Sequence, residues 1–163
     1  MLKAAPVYEY GKINALLLKI TCVSWLAAKL IGWRMFTAYR QFPTVPFFDL
    51  FDHVPPVVHL VLFLLSLLFL VSLLFTNYNR LLLWNLLVTE ILSVLFDQNR
   101  LQPWEYQYLF IVFIFLVNKN DQKLLNAAFI FILVSTYFYS GLGKLNPGFL
   151  HGFWARMLLR HFL

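Results

Sequence analysis

Long apolar runs separated by short polar breaks organise this chain. The clearest run covers residues 57–75, which carries no charge and has His59, Ser66 and Ser72 as its polar interruptions. Pro55 and Pro56 open it, and Thr76-Asn77-Tyr78-Asn79-Arg80 closes it. A bilayer span takes roughly 20 mainly apolar residues, so this run predicts a membrane-spanning helix. The polar break leads straight into a second run at 81–96, which predicts an antiparallel helical hairpin ended by Asp97-Gln98-Asn99-Arg100. Pro103 fits the first turn of a further helix over 104–117, stopped by Asn118-Lys119-Asn120-Asp121. That helix is short for a span, so it is either completed by the preceding loop or partly interfacial. A last run at 124–143 ends at Gly141, Gly143 and Pro147.

The first apolar segment, 13–36, is interrupted by Lys19, Lys29 and Arg34. At about 100° per residue, Lys12, Lys19, Lys29 and Arg34 fall on one side of a helix, so these charges face a bundle interior or lie along an interface. The segment is read as a span, and as an uncleaved one, because no small-residue cleavage site follows a short apolar core. Residues 37–56, with Pro43, Pro46 and two aspartates, read as an extramembrane loop that re-enters the membrane surface. The fold expectation is therefore an all-α, polytopic transmembrane bundle of about five helices, followed by a basic amphipathic stretch at 153–163.

Composition agrees with a lipid environment. The 163 residues are 61% hydrophobic and 12% charged, with a mean hydropathy of +0.74, against roughly 45–50% apolar and about 25% charged in soluble domains. The net charge of +6 comes from scattered Lys and Arg beside apolar runs, which suits lipid headgroups and excludes a contiguous nucleic-acid-binding face. Lys and Arg are nearly equal on the two sides of a five-helix arrangement, so the positive-inside rule does not orient it. The lone cysteine, Cys22, excludes an intramolecular disulfide and a thiolate zinc cluster. The histidines lack metal-ligand spacing, so no metal is expected.

Ionisable groups at membrane depth are costly and mark candidate sites. Glu90, Ser93 and Asp97 have i, i+3, i+7 spacing on one helical face. Tyr137, Ser140 and Lys144 repeat that spacing in the last run, with Asn126 on the same side. An acidic stripe and a hydroxyl-plus-lysine stripe on different helices either enclose a polar cavity or form a buried ion pair that fixes helix packing. The aromatic share of 19% serves packing, an interfacial belt, or the lining of a flat cofactor such as a quinone.

The run Tyr137-Phe138-Tyr139-Ser140-Gly141-Leu142-Gly143-Lys144-Leu145-Asn146-Pro147-Gly148-Phe149-Leu150-His151-Gly152 resembles the HTTM domain, the membrane domain shared with vitamin K-dependent gamma-carboxylases. Arg160-His161-Phe162 sits where the carboxylases have Arg-His and an aromatic. The ungapped match covers about two dozen residues. Phe96-Asp97 and Tyr106-x-Tyr108 also resemble the family's preceding helix and loop, and residues 97–104 look closer to the family's bacterial members. The resemblance implies a single HTTM-like domain over 1–163 in a bacterial inner membrane, and a reduced quinone as cofactor. It makes Lys144 the catalytic base, with Tyr137, Ser140, Glu90, Asp97, Arg160 and His161 in supporting roles.

Two departures matter. A histidine that supports the carboxylase chemistry is replaced at the aligned position by Trp104, which speaks against glutamate carboxylation itself. The family continues with further helices past the stretch where this chain stops, which implies a fragment or a reduced member. Three functional classes follow. The first is a quinone-linked redox or carboxylase-like enzyme. The second is a non-catalytic accessory subunit of a membrane redox or maturation complex, similar to DoxX-like proteins. A small transporter comes third, because no internal repeat or pair of broken helices is present.

Overall fold

A computed structural model describes residues 7–37, 39–40, 43–51, 53–76, 78–118 and 121–145. Among them every regular element is helical: α1 (Val7–Ile31), α2 (Trp33–Phe36), α3 (Pro56–Phe75), α4 (Arg80–Phe96), α5 (Pro103–Val117) and α6 (Gln122–Lys144), with 3-10 turns at Asp49–Phe51 and Gln98–Arg100. The chain divides into two compact units, Met1–Gln122 and Lys123–Leu163. The C-terminal amphipathic stretch at 153–163 lies outside the described residues.

Three helices are long and apolar enough to cross a bilayer: Gly11–Ile31 within α1, Pro56–Phe75, and Gln122–Leu142 within α6. The 17 residues of α4 and 15 of α5 are shorter than that. In the first unit α3 and α4 pack along each other as a hairpin, α1 lies against α3 and α5, and α4 against α5.

Local chemistry sets the boundaries. Pro55 and Pro56 start α3, where a missing N–H costs nothing in the first turn. Asn79 caps α4, its side-chain oxygen accepting from the Leu81 and Leu82 N–H groups at 3.0 and 3.3 Å. Pro103 begins α5. The expected single segment at 13–36 is instead two helices broken at Gly32, whose N–H still bonds Ala28 O at 2.9 Å while Met35 N–H bonds Gly32 O at 2.8 Å. A Cβ at residue 32 would stand 3.1 Å from Ala28 O, so glycine permits this close turn. The turn carries Phe36 to a position where its ring centroid is 3.8 Å from Lys29 Nζ.

The distribution of side chains departs from that of a water-soluble bundle, with large apolar residues outside and ionisable ones within an otherwise apolar core. Leu16, Ile20 and Val23 of α1, Leu64 and Leu68 of α3, and Trp84 and Val88 of α4 point outward, while Lys29, Glu90 and Glu105 are buried. Apolar surface outside and charge inside is the arrangement a lipid solvent favours. Helix hydroxyls bond back to their own helices: Thr21 to Leu17 O, Ser72 to Leu68 O, Thr89 to Asn85 O and Ser135 to Phe131 O. They thereby satisfy themselves without water.

The loop before α3 is fastened to the end of α4. Phe47 N–H donates to Leu95 O at 2.9 Å, Gln98 N–H donates to Val45 O at 2.7 Å, and the Gln98 side chain donates to Pro46 O at 3.0 Å. Phe47, Phe48 and Leu50 stay exposed beside this attachment, and Phe51 meets the Phe96 ring edge-on.

Candidate functional site

Two groups of buried ionisable side chains occupy the interior of the first unit. In the first, α1 supplies Lys29 and Trp25, α4 supplies Glu90, α5 supplies Glu105 and α3 supplies Ser66. Lys29 Nζ lies 2.9 Å from Glu90 Oε2 and 3.4 Å from Glu105 Oε1, with each side chain at most 1% exposed. Ser66 Oγ donates to Glu90 Oε1. Trp25 Nε1–H donates to Glu105 Oε2 at 3.0 Å, and the Trp25 ring stacks on Tyr108 with centroids 5.3 Å apart. Phe36 beneath the ammonium adds a cation–π contact and keeps water out.

The second group sits at the α4–α5 connection. The Asp97 carboxylate pairs with Arg40 at 2.6 Å and with Arg100 Nε at 3.4 Å, and it accepts the Val45 N–H at 3.2 Å. Arg100 also donates to Ser93 O at 3.2 Å, to Ser93 Oγ at 2.8 Å and to His59 Nδ1 at 2.9 Å. Because a guanidinium only donates, His59 Nδ1 must accept, which places that ring's hydrogen on Nε2. Burial pulls Arg100 down to about 10; the neighbouring Asp97 opposes that shift and Arg40 adds to it.

Together the two groups hold three cations, Lys29, Arg40 and Arg100, against three carboxyls, Glu90, Asp97 and Glu105. They are not electrically independent, since Arg100 feels Glu90 and Glu105 as well as Asp97. A buried charge without compensation would be prohibitive, and here each is met by a counter-charge and hydrogen bonds.

The residues singled out by spacing divide between the two units. Glu90, Ser93 and Asp97 do lie on one buried side of α4: Glu90 belongs to the Lys29 group, while Arg100 draws Ser93 and Asp97 into the other. Tyr137, Ser140 and Lys144 run along α6, all exposed, with Tyr137 at 77%. Asn126, near the start of that helix, is exposed as well. Arg160 and His161 lie outside the described residues. Trp104, at the position of the carboxylase histidine, meets Phe36 edge-on with centroids 5.9 Å apart. Of the four basic residues on one side of the first segment, Lys29 is buried, Lys19 half-buried, and Lys12 and Arg34 exposed. Among the described residues no His, Cys, Asp and Glu side chains gather in a metal-binding group.

Spacing alone did not reveal Glu105, Arg40 or the role of Arg100. Glu105 follows Pro103 in the first turn of α5, where an acid is ordinary helix-start chemistry. Its one distinguishing signal is the apolar run that follows immediately.

Comparison with known proteins adds no relative: no family model, no curated protein and no solved structure matches this chain.

Proposed function

We propose that the chain is a multi-pass inner-membrane protein of about five spans, of HTTM or vitamin K-dependent carboxylase type, in which Lys144 acts as a base toward a reduced quinone. The observation that carries this reading is a division of labour among the charges. Lys29, Arg40, Arg100, Glu90, Asp97 and Glu105 are committed to one another in the interior, whereas Lys144 is exposed at the end of a membrane-length helix. Tyr137 and Ser140 lie two turns and one turn before it on the same helix, suitably spaced to position an aromatic ring and a carbonyl or hydroxyl beside the lysine. In its neutral form a lysine amine serves as a base. The buried ionic core ties α1, α3, α4 and α5 together within the first unit. The test is oxygen uptake with a reduced naphthoquinone: turnover by the folded wild type, lost in Lys144→Ala, supports the reading, and no turnover in either opposes it.

A specific observation favours a second reading, a non-catalytic accessory subunit of a membrane redox or maturation complex. Both Glu90 oxygens and the Asp97 carboxylate already have partners inside the protein, so these acids serve helix packing. On this reading Lys144→Ala keeps its membrane partner in co-purification, and no variant turns over substrate.

A further inference from the structure

We propose that Glu90 and Glu105 share a single exchangeable proton beside Lys29, so that the three side chains form a buried proton-binding site between α1, α4 and α5. One ammonium faces two carboxyls here, at 2.9 and 3.4 Å. Three of the four carboxyl oxygens are hydrogen-bonded: Glu90 Oε1 by Ser66, Glu90 Oε2 by Lys29 and Glu105 Oε2 by Trp25. The fourth, Glu105 Oε1, is fully buried and accepts no hydrogen bond despite its nearness to the ammonium. The Glu90 and Glu105 carboxyls converge on the same ammonium, Lys29 Nζ. Two carboxylates have no hydrogen to place between them and repel, whereas an acid and a carboxylate form a strong bond. One proton therefore satisfies the orphaned oxygen and neutralises the local excess of negative charge.

The groups facing the pair come from every neighbouring element. Lys29 and Trp25 belong to α1, Glu90 to α4, and Ser66 of α3 reaches Glu90; Tyr108 stands one turn along α5. Arg100, from the turn before α5, is the further buried cation of the interior and pairs with Asp97. With it bound the carboxyl pair is bonded, and with it lost the six ionisable side chains are three against three.

The inference does not depend on the quinone reading. Its test is infrared spectroscopy of the purified full chain in light and heavy water. Wild type should show a deuteration-sensitive C=O stretch of a protonated carboxyl at neutral pH, fading as pH rises. Either Glu105→Gln or Glu90→Gln should abolish it, because one remaining carboxylate then balances Lys29. Trp25→Phe, which keeps both acids, should shift its frequency by removing the indole N–H. Absence of the band in wild type, or its persistence unchanged in both glutamine variants, overturns the proposal. Should those variants fail to fold, a band unmoved by Trp25→Phe overturns it equally.

Discussion

Lys29 Nζ stands 2.9 Å from Glu90 Oε2, an ion pair joining α1 to α4 with both side chains 1% exposed. Removing one member of a buried pair costs about 3–5 kcal/mol, because the other is left charged and unpaired. The third member makes the cost asymmetric. Lys29→Met leaves two carboxyls without a cation and should lose stability in that range, whereas Glu90→Gln leaves Lys29 opposite Glu105 and should lose distinctly less. Reversible unfolding in mixed detergent micelles checks the order of the two.

Asp97 holds Arg40, Arg100 and the Val45 N–H at once, so it ties the 43–51 loop to the end of α4. Asp97→Ala should release that loop and leave two buried guanidinium groups opposed. We expect faster limited proteolysis within 43–51, with α3 and α4 still protected. Asp97→Asn, which can still accept from Val45, should fall between Asp97→Ala and wild type.

Arg100 uses the fork of its guanidinium, reaching Ser93, His59 and Asp97 in different directions. A lysine brings the charge without that geometry. Arg100→Lys should therefore destabilise by about 1.5–3 kcal/mol, the range for hydrogen bonds to charged groups. Chemical unfolding of the variant beside wild type measures it.

At the opposite end of the α3–α4 hairpin, Asn79 accepts from two N–H groups of the first turn of α4. Asn79→Ala should cost about 1 kcal/mol, typical of a lost cap, and Asn79→Asp should restore most of it. Thermal unfolding of the three proteins tests this.

Helix boundaries were legible wherever a residue type forces them. The proline pair at 55–56, the polar turn after residue 75 and Pro103 each mark an edge within a residue of where α3, α4 and α5 lie. The break at Gly32 was not legible, because a single glycine in an apolar run is compatible with a continuous helix and its close approach to Ala28 O is a packing outcome. For the site, periodicity placed Glu90, Ser93 and Asp97 on one face of α4. It could not name their partners, since Lys29, Arg40 and Arg100 arrive from elements 61, 57 and 3 residues away from the acids they meet. Glu105 was hidden by position: an acid after a helix-starting proline is unremarkable until the fold shows it dry, beside Lys29 and Trp25.

The proposed engagement of a reduced quinone by Lys144 is tested by titrating detergent-purified wild type, Lys144→Ala and Ser93→Ala with a reduced naphthoquinone and following the absorbance of bound ligand. Saturable binding by wild type and Ser93→Ala, lost in a folded Lys144→Ala, is the predicted result. No binding by folded wild type, or equal binding by all three proteins, would rule out a quinone site at Lys144.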